Sequence, residues 1–237
     1  MDSFSFNHQR KSKIKMLEGR EKAPFHPVTR EFVRYGRKNR LNKSEKELLE
    51  IRQPIGYYAK DQEEALQISK SLGPWLVTKE PAPLQYDDEP GVTYWAVTNG
   101  TLDDLKRINR SNIWSGTLTF QCVRTSGPTV VIQVPDTEKE FTIGGQDETD
   151  WISKTVFSSK QSSFTMETSQ GGKVLLDYNF IVGDRLEIDY DKRRIWLNGK
   201  NLALAINLET VWSALEPGKV KLKASHPTEI VYTEEYL

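Results

Sequence analysis

The sequence predicts a mainly β protein with an N-terminal α+β unit and a C-terminal antiparallel β-sandwich. One segment of the first half has the spacing of an amphipathic helix, whereas only short strand-like segments follow Cys122. Short strands without intervening helices are typical of sandwiches and barrels. With 237 residues, the chain is long enough for one large or two ordinary domains, and we expect two.

Composition and charge exclude several classes of protein. The 33 basic and 33 acidic side chains cancel, so no overall field steers the molecule toward nucleic acid or anionic lipid. Residues 10–43 nevertheless contain twelve Lys or Arg and three Glu, a net charge of +9 that leaves −9 for the remainder. Cys122 is the only cysteine, which excludes an intrachain disulfide framework.

Hydropathy and the first residues predict where the chain folds. No apolar run approaches the roughly 20 residues that a membrane span requires. The start, MDSFSFNHQRK, has no signal-peptide core. We therefore expect a protein that is made and folded in the cytosol.

The first elements are predicted from alternation and composition. The opening FSFNHQRKSKIKMLEG has apolar residues on both sides of a polar turn, which predicts a hairpin. The segment REKAPFHPVTREFVRYGRKNRLNK then has scattered aromatics in a positive setting. It cannot bury enough apolar surface to order itself, yet it has too many aromatics for a free linker. We predict an extended arm that packs on another surface.

Residues 47–59, ELLEIRQPIGYYA, predict a strand in which Pro54 indicates an edge or a bulge. DQEEALQISKSLGP then predicts a helix, with Asp61 as N-cap and Glu64 completing a capping box. The Gly-Pro pair is expected to end this helix.

The rest of the first half predicts two strands and a second helix. VTYWAV predicts a strand, and TLDDLKRI predicts a short helix capped by Thr101. GTLTFQC predicts another strand, whose alternation directs Cys122 toward the core. These elements complete the α+β unit.

The second half repeats one pattern. RTSGP, residues 124–128, has the composition of a linker, so we predict domains over residues 1–123 and 124–237. Turn residues separate the segments that follow it. The predicted strands are VVIQV, EFTI, SFTMET, KVLLDY, RLEIDY, RRIWL, LALAI, KVKLKA and EIVYT.

The sequence shows no pattern that supports a metal, a cofactor or catalysis. His8, His26 and His226 share no short spacing. The acidic stretches QYDDEP and GQDETDW lack the pattern of an EF-hand and are expected to be solvated turns. There is no G-x-S-x-G elbow, SQGGK precedes a strand instead of a helix, and nothing singles out a carboxylate pair for glycoside hydrolysis. We predict a protein that is not an enzyme and binds no cofactor.

The stretch DRLEIDYDKRRIWLNGKNL, residues 184–202, combines aromatic rings with polar side chains, as sugar sites do. Its alternation predicts a three-strand meander with turns at Asp191-Lys192 and Asn198-Gly199. A tryptophan on its outer face is more often covered by a neighbouring subunit than by a sugar. One hypothesis is nevertheless a carbohydrate-binding surface formed by Tyr190, Arg194, Trp196 and Asn198.

The order of these segments resembles the distal tail proteins (Dit) of siphophages that infect Gram-positive bacteria. GDRLEIDYDKRRIWLNGKNL followed by LKASHPTEIVYTEEYL is similar to the last strands of that family. FSFN, LEGREKAPFHPVTRE, the helix ending in PWLV, and LQYDDEPGVTYWAVTNG before LTFQC recur there in this order. The chain departs from the family at CVRTSGPTVV, where members commonly carry an Asp-Pro-Tyr type stretch, so the register of residues 123–150 stays open.

The resemblance implies an N-terminal domain whose protruding belt helps close a hexameric ring, and a C-terminal galectin-like β-sandwich. It implies a structural hub of the virion tail tip, assembled in the host cytoplasm. The expected partners are further copies in a homo-hexamer, the tail tube protein, a tail-associated lysin or tail fibre hub protein, and the tape measure protein. No membrane and no specific nucleic acid are expected, although the genome can pass through the ring. The galectin sugar signature is absent from this sequence.

The charge pattern suits a head-to-tail ring, because each subunit can offer its basic arm to the acidic body of the next. A nucleic-acid backbone is the alternative partner for such an arm, and salt would weaken either contact. Protein contact is favoured, since the arm offers no stable element to present a groove. The expected belt-arm interface residues are Arg20, Phe25, Arg30, Phe32, Arg34, Tyr35, Arg37 and Arg40.

Overall fold

The structure is a computed structural model that describes residues 3–100, 102–108 and 112–237. It forms two compact units, residues 1–126 with Leu237, and residues 127–236. Antiparallel strands are the main element of both units, so the prediction of a mainly β chain is confirmed. Within the described ranges, no helix is long and apolar enough to cross a membrane.

The first unit contains one helix and several strands in its described part. The elements are β1 Phe4–Phe6, β2 Lys15–Met16, β3 Glu21–Lys22, β4 Val28–Tyr35, β5 Lys38–Lys46, β6 Leu49–Tyr58, α1 Gln62–Leu76, β7 Ala82–Tyr86, β8 Thr93–Thr98, β9 Asp103–Arg107 and β10 Ile113–Val134.

Strand β10 organises the first unit. One of its edges pairs with β6, and the other pairs with β9 and β8. β8 then pairs with β7, and β7 pairs with β1. The core beside this sheet includes Phe6, Trp75 and Phe120, and the Trp75 indole donates a 3.0 Å hydrogen bond to the Phe6 carbonyl. The helix is therefore held against the sheet by packing and by a buried polar contact.

The predicted start of α1 is confirmed. Asp61 is the N-cap, and its Oδ1 accepts a 2.8 Å bond from the Glu64 amide. The Glu64 carboxylate accepts from the amide of Lys60 at 2.9 Å, one residue before the cap. One amide of the first helical turn and the amide just before the cap are thus satisfied by neighbouring side chains.

The predicted end of α1 at Gly73-Pro74 is wrong, because the helix continues to Leu76 with Pro74 inside it. A proline ring disfavours the helical conformation of the preceding residue through a clash with that residue's Cβ. Gly73 has no Cβ, so the chain stays helical past the proline. Burial of Trp75 and Leu76 stabilises this last turn.

Two further predictions for the first unit are wrong. The opening residues do not form a hairpin with each other, because β1 pairs with β7 and β2 pairs with β6. TLDDLKRI is not a helix but contains strand β9, which pairs with β10. Its predicted cap, Thr101, lies outside the described residues. In both places strand pairing overrides the pattern of the neighbouring residues.

Pro54 lies inside β6, between the short partners β3 and β2. β3 pairs with Arg52 and Ile51, and β2 pairs with Gly56 and Ile55. Pro54 falls in the gap between them. A proline fits there because its missing N–H interrupts neither of these two short ladders.

The linker predicted at residues 124–128 is also wrong, because β10 runs through it without a break. Thr125 and Ser126 are buried there, and the Ser126 hydroxyl accepts a 3.0 Å bond from the Trp95 indole. Small polar residues can occupy a buried strand when their hydroxyls are paired. Their composition alone resembled that of a loop.

The second unit is a β-sandwich, as predicted. One sheet has the order β10-β19-β12-β15-β16-β17 and the other β11-β18-β13-β14. The two sheets enclose a core of alternate side chains. The strands that follow β10 are β11 Lys139–Ile143, β12 Trp151–Val156, β13 Gln161–Thr168, β14 Lys173–Phe180, β15 Arg185–Asp189, β16 Arg194–Leu197, β17 Lys200–Asn201, β18 Gly218–Ala224 and β19 Thr228–Tyr236.

Local predictions for the second unit have mixed outcomes. The turn at Asn198-Gly199 is confirmed, with both residues at positive φ as a type I′ hairpin requires. LALAI is not a strand but contains a 3₁₀ turn, Ala203–Ala205. Strand β12 was missed by the sequence analysis, although its alternating burial is regular.

Candidate functional site

The basic segment forms a hairpin whose strands are exposed along their whole length. Every residue of β4 and β5 is exposed, and Tyr35 pairs with Lys38 next to the turn at Gly36. The extended arm predicted for this segment is therefore wrong in its local form. The strands supply each other's hydrogen bonds, which a single extended arm cannot do.

The hairpin has two different faces, because alternate strand residues point to opposite sides and paired residues share a side. On one side Phe32 is paired directly with Leu41, and Arg30 and Arg34 flank Phe32 along β4. Phe32 is 60% and Leu41 54% exposed. We call these four residues the Phe32 face. We take this exposed apolar pair between two cations as a candidate interaction surface.

The remaining predicted arm residues have other positions. Tyr35 lies on the opposite side of the hairpin, where the Arg40 guanidinium is 5.2 Å from its ring centroid. Arg37 lies in the turn, and Phe25 is exposed before β4 begins. Arg20 precedes the hairpin and pairs elsewhere. The structure therefore brings only part of the predicted set onto one surface.

The base of the hairpin is fixed by a buried histidine. His26 is fully buried; its Nδ1 lies 3.0 Å from the Glu47 carbonyl oxygen, and its Nε2 lies 3.0 Å from the Thr125 hydroxyl. The Glu47 amide also donates a 2.8 Å bond to the Pro27 carbonyl. A carbonyl only accepts, so Nδ1 is the donor in the first contact. These bonds join both ends of the hairpin to β10.

A cluster of ion pairs holds the segment that leads to the hairpin. Arg20 contacts Asp88 at 2.7 Å and Glu89 at 2.8 Å, and Lys22 contacts Glu89 at 2.9 Å. Arg10 similarly contacts Asp87 at 2.5 Å. Residues 87–91 form a turn in which Asp87 and Asp88 are exposed, as the sequence predicted, but each of the three acids is also paired with a basic side chain. These pairs join residues more than 60 positions apart.

The same contacts change the pKa values of the acids. Hydrogen bonds from Arg10 and Arg20 lower the pKa values of Asp87 and Asp88. Burial by itself would raise the pKa of Glu89, but bonds from Tyr94 and Lys22 outweigh it and lower that pKa. All three carboxylates are therefore held in the charged form that their basic partners need.

Trp196, the centre of the alternative carbohydrate site, lines an open groove of about 1170 Å³ on one sheet of the second unit. It lies on the outer face with Arg194, as expected, while Ile195 and Leu197 are buried. Polar side chains of this region already bond to one another, so a glycan would have to displace those bonds. The pairs are Lys154 with Glu187, Gln133 with Glu229, and Asn198 with Asp184.

Tyr190 does not belong to that surface. It is buried, its ring stacks on Trp151 with centroids 3.4 Å apart, and its hydroxyl is 3.2 Å from the Ser153 hydroxyl. Burial raises its pKa. The predicted ligand set is thus divided between a core residue and an outer face, and the carbohydrate interpretation is not favoured.

Within residues 3–100, 102–108 and 112–237, no three His, Cys, Asp or Glu side chains are grouped to hold a metal ion. Cys122 is buried, and burial raises the pKa of its thiol to about 12. A thiol that stays protonated is a poor nucleophile. The hairpin and its base remain the surface with the clearest functional signal.

The sequence analysis missed Leu41 and the anchoring role of His26. The partner of Phe32 depends on a register shift between Glu31 and Phe32, which composition does not show. The hairpin itself could have been predicted, because Gly36 lies between two segments of strand length and a glycine in that position is typical of a hairpin turn. The contacts of His26 have no local signal.

Two family models match the chain. The model for the C-terminal domain of the siphovirus-type tail component matches residues 144–236, and the model for the RIFT-related domain of phage tail proteins matches residues 39–122. The distal tail protein of Bacillus phage SPP1 is 29% identical over 166 residues, which are 65% of this chain and 63% of that protein. The chain therefore carries matches to two phage tail domains, and it is similar to a siphophage distal tail protein. The alignment spans less than two thirds of that relative's length.

Two solved structures resemble the fold of this chain. The crystal structure of SPP1 Dit, described as a paradigm of the hub adsorption apparatus in phages that infect Gram-positive bacteria, superposes with a TM-score of 0.87. It is 18% identical, with 100% of both chains covered. A chain of the phage P2 baseplate in its activated conformation superposes with a TM-score of 0.54 at 8% identity, covering 99% of this chain and 98% of that one. At these identities the likeness shows a shared fold.

Proposed function

We propose that this chain is a structural protein of a siphophage or phage-like tail, without catalytic activity. It forms a homo-hexameric ring at the tail tip and connects the tail tube to the tail-tip or baseplate apparatus that adsorbs to the host. The observation that carries this proposal is the exposed hairpin of residues 28–46 with its buried base. An isolated two-stranded hairpin is only marginally stable in water, so a second surface is expected to cover it in the assembled form.

In this proposal the two domains predicted from the sequence have different roles. Residues 1–123 form the ring through the belt hairpin, and residues 124–237 form the galectin-like outer domain. Six hairpin residues contact the neighbouring copy, and Phe25 and Arg20 support the base of the hairpin. The six are Arg30, Phe32, Arg34, Tyr35, Arg37 and Arg40. A head-to-tail contact of this kind closes into a ring when the rotation between copies permits.

The remaining partners follow from the family. They are the tail tube protein, a tail-associated lysin or tail fibre hub protein, and the tape measure protein, in a virion assembled in the host cytoplasm. The similarity to a distal tail protein, and to a structure described as a hub of the adsorption apparatus, supports a position at the tail tip. No membrane and no specific nucleic acid take part.

The mass of the purified chain in solution tests the proposal. Light scattering at high protein concentration and moderate salt is expected to give six subunits, and negative-stain images a ring with a central hole. A strict monomer under these conditions contradicts the proposal. A monomer that binds DNA or RNA with a steep loss of affinity on adding salt would instead identify the hairpin as a nucleic-acid contact.

A further inference from the structure

Two Asn-Gly dipeptides, Asn99-Gly100 and Asn198-Gly199, occur in the chain, and the structure holds their side chains differently. An asparagine side chain loses its amide without any enzyme when the next backbone nitrogen attacks its Cγ. Glycine as the next residue favours this attack, because it has no Cβ in the way and its backbone adapts easily. The side chain has to turn toward that nitrogen first, so hydrogen bonds that hold it elsewhere slow the reaction.

The Asn198 side chain is held at both ends of its amide. Its Nδ2 donates a 2.8 Å hydrogen bond to Asp184 Oδ1, and its Oδ1 accepts a 2.9 Å bond from the Arg185 amide. Asp184 is itself buried, and its other carboxylate oxygen accepts a 2.9 Å bond from the Ile181 amide. The side chain of Asn198 therefore reaches the Gly199 nitrogen only after two hydrogen bonds have broken.

The Asn99 side chain has no such restraint. Asn99 follows the last residue of β8 and is exposed, and its main-chain amide donates a 2.8 Å bond to the Thr119 carbonyl. Among the residues that the structure describes, none forms a hydrogen bond with the Asn99 side chain or with the Gly100 amide. Gly100 is exposed at a φ of +83°, with no atom within 4 Å of the place where a Cβ would be. The attacking nitrogen and its target are therefore both accessible.

We propose that Asn99 is a site of spontaneous deamidation and that the fold protects Asn198 from the same reaction. The Gly100 nitrogen loses its proton and bonds to Asn99 Cγ, while the bond from Cγ to Nδ2 breaks and this nitrogen leaves as ammonia. One water molecule then opens the cyclic imide at either carbonyl, which gives aspartate or isoaspartate. This modification does not depend on the ring proposed above.

Deamidation changes the surface around an apolar pocket of about 200 Å³ in the first unit. Asn99 and Gly100 line this pocket together with Leu72, Leu76 and Leu118. Either product replaces a neutral amide by a carboxylate at the pocket edge, and isoaspartate also lengthens the main chain by one methylene. An unpaired charge beside apolar walls disfavours burial of this edge, so fresh and aged chains differ in what they can contact here.

Incubation of the purified full chain in water enriched in the heavy isotope of oxygen tests the proposal. Hydrolysis of the imide leaves one heavy oxygen in the new carboxylate, which peptide mass spectrometry locates. Label at Asn99 is expected to appear about tenfold or more faster than label at Asn198, because two hydrogen bonds have to break before Asn198 reacts. The same incubation in urea should make the two rates similar, since the unfolded chain holds neither side chain.

The variant Asn99→Gln is the matched control, because glutamine keeps the amide but forms the larger imide ring far more slowly. It should carry no label at this position and should lack the acidic forms that isoelectric focusing resolves in aged samples. Its labelling at Asn198 should equal that of the unsubstituted chain. Two outcomes overturn the proposal. They are equal labelling of Asn99 and Asn198 in the folded chain, and an Asn99 that is labelled in urea but not in the folded chain.

Discussion

The Arg20 guanidinium contacts both carboxylate oxygens of Asp88, through Nη1 at 3.1 Å and Nη2 at 2.7 Å. The same group lies 4.3 Å from the centroid of the Tyr86 ring, and its side chain is only 18% exposed. Bidentate arginine pairs are stronger and more directional than single contacts. This pair therefore fixes the chain just before the hairpin begins.

Replacement of Arg20 by alanine is expected to lower the free energy of unfolding by about 1–2 kcal/mol, because a partly buried charged pair is lost. The matched control is Arg30→Ala, which removes an exposed arginine of the hairpin and should change stability by less than about 0.5 kcal/mol. Urea unfolding at concentrations where the chain is monomeric measures both. Equal effects of the two substitutions would refute the structural role of Arg20.

Stability is expected to fall in acid because of the lowered pKa values of Asp88 and Glu89. A depressed folded-state pKa contributes stability that is complete above the unfolded value and is lost as the pH falls through the folded value. With unfolded values of about 4, the loss should begin below about pH 5 and continue below pH 4. Urea unfolding between pH 7 and pH 3 measures it. The Arg20→Ala variant should lose less unfolding free energy between pH 7 and pH 3 than the unsubstituted chain. An equal loss would show that the pairs of Arg20 with Asp88 and Glu89 are not the cause.

His26→Ala is expected to destabilise the first unit by about 2 kcal/mol, because it removes two buried hydrogen bonds and leaves a cavity. The exposed His8 provides the control, and His8→Ala should be nearly neutral. Hydrogen exchange of the β4 and β5 amides gives a second measurement and should become faster only in the His26 variant. Unchanged exchange would show that the base does not hold the hairpin.

Alanine substitutions at two glycines distinguish the cost of backbone strain from the cost of a steric clash. Gly145 and Gly183 have φ angles of +99° and +89°, so an alanine at either position is strained by about 1–2 kcal/mol. A Cβ at Gly145 would also lie 2.8 Å from the Glu235 carbonyl oxygen, whereas nothing lies within 4 Å at Gly183. Gly145→Ala should therefore cost roughly twice as much unfolding free energy as Gly183→Ala. Thermal or urea unfolding compares them, and equal losses would contradict the packing contribution.

Local rules predicted the parts of the fold that depend on a few neighbouring residues. The cap at Asp61 and the turn at Asn198-Gly199 were found because their side chains and φ preferences act within one turn of chain. The same rules failed at β9, where pairing with β10 outweighed a helix-like pattern. They also failed at Gly73, where the missing Cβ allowed the helix to pass a proline.

By itself the sequence determined the strand-rich character of the chain, the sandwich of its second half, the basic segment and the resemblance to one tail protein family. Periodicity, composition and motif order carry this information without reference to distant partners. Only the tertiary structure decided that Phe32 faces outward beside Leu41, that His26 anchors the hairpin, and that Arg20 pairs with Asp88. These contacts join residues far apart in the chain, so the fold must form before they exist.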